Sequence, residues 1–241
     1  MRYSNNLNII LKACEKAGNY ILRDFAELGN LQSNSKIAQK FTNSCYQKVK
    51  KIITDDLLKF KPKYNFYFSD GQKIVNDEKS QYHFVIFPIS GVANLERANP
   101  DFVVAIALNY GDNFEESKSI AVVIKKILPN ETFYCEKGFG AFLNNRRIKI
   151  TKRSSNDVAI VDNISQYKEF NPNDKAVAVR SYGSKILELA YLACNRIDFV
   201  SLKSLSNYQF TIPFTLIAEE SGAKKVNDLI YFNNSIIPIP I

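Results

Sequence analysis

The chain has 241 residues, 46% of them hydrophobic and 23% charged, with nine glycines and eight prolines. That excludes a disordered or collagen-like chain and supplies a core for one large or two small closely packed domains. The net charge of +8 suits an anionic partner such as RNA, DNA or a membrane, although a Lys-, Asn- and Ile-rich composition makes a basic surface without one.

Residues 4–27 carry Leu7, Ile10, Leu11, Cys14, Ala17, Ile21 and Phe25 at helical spacing, and Gly29 is placed to end that helix. Because the first residues alternate apolar and polar, they read as an amphipathic helix and not as a signal peptide. A polar loop is expected over 32–40, then a second helix over 43–60. Short apolar runs at 65–68, 84–87, 103–108 and 120–124 predict buried strands, and 132–135 with 141–143 predict a hairpin about Lys137 and Gly138. Beyond Thr151 the pattern alternates: strands at 158–161 and 176–179, a helix at 184–193, a strand at 199–202, a helix at 210–221 and a strand at 229–232. The expected class is α+β leading into α/β, with residues 1–150 and 151–241 as two halves sharing one buried interface.

No apolar run approaches the roughly 18 residues needed to cross a bilayer. Cys14, Cys45, Cys135 and Cys194 are scattered, without CxxC or Cys/His spacing. They predict free thiols and a cytoplasmic protein rather than a zinc knot or disulfide framework. A single histidine, His83, removes most histidine-based catalysis; Cys45 with His83 would be the remaining thiol–base pair.

The stretch FVIFPISGVANLERANPDFVVAIAL at 84–108 resembles the W-V-I-D-P-I-D-G-T-T-N-F signature of the inositol monophosphatase family. Further likenesses follow in order. Phe133-Tyr134-Cys135-Glu136-Lys137-Gly138 and Gly140-Ala141-Phe142-Leu143-Asn144 are similar to that family's F-Y-A-E-K-G-x-G-A-F-L-N hairpin. RSYGSKILELAYLACNRID at 180–198 resembles its R-x-x-G-S helix, and Ala218-Glu219-Glu220-Ser221-Gly222 its closing V-x-E-A-G-G segment. The resemblance implies a layered α-β-α-β-α sandwich, a homodimer, and in the bacterial extragenic-suppressor branch a link to ribosomal RNA transcription.

It also implies a Mg²⁺-dependent phosphatase whose carboxylates hold two or three ions that neutralise the phosphate and activate water. At the matching positions this chain departs from the pattern. The aspartate of T-x-x-D falls on Cys45, and the glutamate of G-E-E falls near Ser69-Asp70. The aspartates of D-P-I-D-G-T fall on Phe87 and Ser90, its first threonine on Val92, and the aspartate of the W-D pair on Gln209. No Asp or Glu occurs in 28–54, 80–95 or 199–218, so a small shift of alignment restores none of them. A phenyl ring holds no cation, a thiol is a soft donor mismatched to Mg²⁺, and Ser or Gln offers a neutral oxygen.

The expectation is therefore a pseudo-phosphatase: no catalytic residue, no metal, and a non-catalytic binding or regulatory role with a protein or RNA partner of the transcription machinery. The alternative is a Mg²⁺-dependent phosphomonoesterase acting on inositol 1-phosphate or a related sugar phosphate, with ligands recruited from Asp70, Glu96, Asp101 or Glu220. Ile89, Gly91, Val92 and Ala93 form the family's phosphate-facing turn, where free N–H groups could still accept an anion; the same turn is also what Pro88 and Gly91 would shape in any case. Lys36, Lys40, Lys48, Lys50 and Lys51 flank the altered site in sequence and read as an anion cradle or a solvated face. Asp55 and Asp56 read as a solvated face or helix-pair partners, and Tyr182, Tyr191 and Tyr208 as core and interface aromatics.

Overall fold

A computed structural model describes residues 4–151, 159–161, 177–202, 208–227 and 230–232. Helix α1 (Asn5–Leu31) starts where the Ser4 side chain accepts from Leu7 N–H, and it buries Leu7, Ile10, Cys14, Ala17 and Ile21 along one stripe. It runs through Gly29. Helix α2 (Ser35–Phe60) follows almost at once, because Asn34 caps it by accepting from Ile37 N–H. The loop expected over 32–40 thus shrinks to three residues: the polar run beyond Asn34 is the exposed side of a helix that buries Ala38 and Thr42.

An eight-stranded sheet comes next. It comprises β1 (Asn65–Phe68), β2 (Lys73–Ile74), β3 (Tyr82–Ser90), β4 (Val103–Tyr110), β5 (Lys118–Lys126), β6 (Glu131–Glu136), β7 (Gly140–Leu143) and β8 (Arg146–Ile148), in spatial order β2-β1-β3-β4-β5-β6-β7-β8. Only the β1–β3 pair within it is parallel, with Phe68 opposite Ile86. A one-turn helix, α3 (Val92–Glu96), links β3 to β4. Successive strand residues point to opposite faces. Phe84, Ile86, Val104, Ile106 and Val123 pack under α1 and α2, whereas Val85, Ala105, Ala107, Val122 and Phe133 face the other way.

That second face is covered by α4 (Lys185–Ala193) and by the segment leading into α6. The helix expected over 210–221 is broken into α5 (Tyr208–Thr211), a 3₁₀ turn (Ile212–Thr215) and α6 (Leu216–Ser221). Pro213 is the reason: it lacks the N–H a continuous helix requires. A second sheet orders β9 (Ala159–Val161), β10 (Val177–Val179), β11 (Phe199–Ser201), β12 (Lys224–Asn227) and β13 (Ile230–Phe232) as β10-β9-β11-β13-β12. The result is the expected α/β sandwich, with helices on both faces of a mixed sheet. Its outermost helical layer has no counterpart among the described residues, and Val158, Ala176 and Leu229 of the expected strands lie outside them. The second core joins residues on both sides of position 150.

Candidate functional site

The β1–β3 register brings the altered positions to one end of the sheet. Ser69 N–H donates to Ile86 O at 3.0 Å, which sets Ser69 beside Phe87. The Phe87 ring, half-buried on the α4 face, meets Phe214 edge-on at 5.5 Å between centroids. Phe214 is itself fully buried. On the same face Tyr67 stacks on Phe114 at 4.1 Å and Phe114 lies 5.9 Å from Phe210. Aromatic rings thus occupy this face of the sheet.

Asp70, the carboxylate expected nearest a ligand position, is engaged by the chain itself. Lys50 Nζ donates to its Oδ2 at 2.6 Å, Gln72 N–H to its Oδ1 at 3.0 Å, and Tyr46 O–H lies 3.4 Å from Oδ2. Burial pushes the carboxyl's pKa up, but Lys50 and the Gln72 amide outweigh it and hold it below the usual carboxylate range.

Ser90 ends β3 buried, its Oγ 2.8 Å from the Oγ of Ser184, the residue that caps α4 by accepting from Leu187 N–H. Ile89 is buried in the core under α1 and α2, Ala93 is exposed, and Val92 is partly covered. Gly91 has φ +93°, and a Cβ there would sit 2.9 Å from Asp101 O. Its backbone conformation and crowding account for the glycine without a ligand. Asn94, which matches the family turn, donates through Nδ2 to Asp101 O and Tyr182 O, both at 2.6 Å. It ties the turn to the entry of α4.

Cys45 and Gln209 are not brought to this cluster. Cys45 is buried on α2, and its pKa is pushed up to about 12, first by burial and then by Asp24 of α1; it faces α1, while Tyr46 and Lys50 of the same helix face Ser69 and Asp70. Gln209 lines a cavity of about 720 Å³ with Asn109, Ser117, Lys137 and Glu219, and none of Cys45, Ser69, Phe87 or Ser90 lines it. The carboxylates considered as recruits are occupied or apart. Asp101 pairs with Lys126 at 2.8 Å. Glu220 accepts from Gly138 and Gly140 N–H, both at 2.7 Å, which fixes the hairpin turn. Glu96 ends α3, and its backbone carbonyl accepts from Gln32 Nε2, a bond that leaves its carboxylate unassigned. Among the described residues no three His, Cys, Asp or Glu side chains are grouped so as to hold a metal ion. Mg²⁺ demands about six oxygens in octahedral array; a ring at Phe87, a thiol turned toward α1 and a carboxylate already paired with an ammonium do not fit it.

The remaining candidates find plain partners. His83 is buried, its Nε2 3.0 Å from Gly111 O. It projects to the face of β3 opposite Phe84, while Cys45 packs with Phe84 under the helices, so the sheet separates the two and they form no thiol–base pair. Lys50 leaves the proposed lysine cradle, being buried against Asp70. Lys36, Lys40, Lys48 and Lys51 are exposed, with Lys51 bound to Asp55 at 2.7 Å. Asp56 is buried and paired with Lys16. Tyr182 and Tyr191 meet edge-on at 5.0 Å, and Tyr208 is 43% exposed at the mouth of the Gln209 cavity. All four cysteines are free, and no described helix is long and apolar enough to cross a membrane. What the residue pattern did not flag is the role of Lys50: its position between Val49 and Lys51 gives no signal that it turns inward.

The Gly91 turn, the Glu220-bound hairpin and the Ser184-capped helix place the three motif segments within a layered α/β sandwich. The sequence model of the Inositol monophosphatase family matches residues 3–223, and the chain belongs to that family. It is 30% identical over 237 residues to the inositol-1-monophosphatase of Mesorhizobium japonicum, covering 92% of this chain and 85% of that protein. It is 26% identical to the Nus factor SuhB of Vibrio cholerae, covering 90% and 83%. The crystal structure of the extragenic suppressor protein SuhB from Bartonella henselae superposes with a TM-score of 0.76 at 25% identity, over 97% of this chain and 95% of that one.

Proposed function

We propose that this chain is a catalytically inactive inositol monophosphatase-family protein that works, without bound metal, as a binding or regulatory component. The observation that carries the reading is the Phe87 ring packed on Phe214 where the family resemblance implies a metal-binding carboxylate. A hydrolase of this class stabilises the phosphoryl charge with divalent ions. Removing one transition-state donor costs about 100-fold to 1000-fold in rate, and here the substitutions at Cys45, Phe87, Ser90 and Gln209 remove a set. Likeness to proteins named Nus factor SuhB supports a partner within the transcription machinery, protein or RNA, presented by a homodimer with an intact fold.

Assay of the purified chain with inositol 1-phosphate and Mg²⁺ tests the reading: no phosphate release above a chelator-treated control is expected. Release abolished by chelator would establish the phosphomonoesterase alternative, which the kinship to named inositol-1-monophosphatases favours. Affinity capture from native cytoplasm is expected to return transcription or ribosomal components, and a blank at low salt would count against that partner class.

A further inference from the structure

Lys50 is the least conventional residue beside the altered site. It lies on α2 one turn beyond Tyr46 and is 8% exposed. Its Nζ stands 4.2 Å from the centroid of the Phe68 ring, 2.6 Å from Asp70 Oδ2 and 2.7 Å from Gln72 Oε1. A buried ammonium is costly unless its donors are met, and here two oxygens and an aromatic face meet them. The surrounding turn is built to the same end. Phe68 N–H donates to Gln72 O, Gly71 N–H to Phe68 O, and Gln72 N–H to Asp70 Oδ1. Both Asp70 oxygens are thereby used, one by the backbone and one by the ammonium. The next residue back, Ser69, is bonded to β3 at Ile86, directly before Phe87.

We propose that the Lys50 ammonium is a tethered cation that keeps the Asp70 position closed to divalent ions. The proposal rests on the reading of the site as metal-free and explains how that state is held. Losing carboxylates at 87 and 90 removes attraction for an ion. The ammonium adds occupancy of the surviving oxygens and repulsion from a like charge that is only weakly screened at contact distance. Restoring carboxylates alone therefore gives weaker binding while Lys50 remains than once its charge is removed.

The test compares the Phe87→Asp/Ser90→Asp double variant with the same chain also carrying Lys50→Met, which keeps an unbranched stem and removes the charge. Mn²⁺ is titrated into each by calorimetry, with the free-ion electron paramagnetic resonance signal read in parallel and folding checked by circular dichroism. Loss of the Lys50 charge is expected to tighten Mn²⁺ binding by at least about tenfold. Equal affinities, or no binding by either folded variant, would overturn the proposal. Should the carboxylate variants fail to fold, the single Lys50→Met chain is compared with wild type: at equal free Mn²⁺ a larger rise in melting temperature is expected for Lys50→Met, because an ion bound only by the folded state stabilises it. Equal responses would overturn the proposal. Mn²⁺ binding by wild type would sink both this proposal and the metal-free reading, whereas a silent wild type with indistinguishable variants would remove the role of Lys50 alone.

Discussion

Gly91 shows how a residue that matches the family motif can be accounted for by backbone alone. Its φ of +93° lies in the left-handed region, and Asp101 O and Phe102 Cα crowd the place a side chain would take. Gly91→Ala is expected to destabilise the fold by about 1–3 kcal/mol from conformational strain, with the contact to Asp101 O adding to it. Chemical denaturation measures this, and a change below about 0.5 kcal/mol, the range of a neutral surface substitution, would contradict it. The reading of Phe87 and Ser90 as departures from the motif rests on residue identity, because a phenyl ring is no cation ligand. The fate of Asp70 was not legible: its pairing with Lys50 joins residues 20 apart in the chain, and no local pattern announces a contact of that kind.

At the scale of elements, the ties between segments decide what the altered site still does. Asn94 of α3 donates to carbonyls of both the α3–β4 loop and the entry of α4. Asn94→Ala leaves Asp101 O and Tyr182 O without that donor, and a loss of about 1–3 kcal/mol is expected. Hydrogen exchange should show reduced protection at the start of α4; an unchanged exchange pattern with unchanged stability would contradict the bracing role. Helices α1, α2 and α4 were readable because each carries a long apolar stripe and a capping residue. The break inside the segment after Tyr208 was not, since its apolar run masks Pro213. Strands β2 and β8 were missed because two or three exposed or half-exposed residues carry no period; the sheet edge alone makes them strands.

For the whole molecule, the large sheet separates two cores, one with α1 and α2 and one with α4 and α6. This separation places Cys45 and His83 on opposite sides and puts Phe87 into an apolar layer that contributes to stability. Collinear motifs spread along the chain made the family fold legible, since each marks a turn or cap that the sandwich requires: Gly91, Ser184 and Glu220. In the sequence the expected site reads as a set of missing carboxylates, and the Lys50 ammonium bound to Asp70 became visible only in three dimensions. A fold held by these ties suits the proposed role of presenting a surface to a partner.

The proposed function requires that this site not hold Mg²⁺. Calorimetric titration of Mg²⁺ into the metal-stripped wild-type chain, repeated in the presence of inorganic phosphate, addresses it most directly. The expected result is heats indistinguishable from dilution in both titrations. Saturable binding of two ions per chain, strengthened by phosphate, would contradict it.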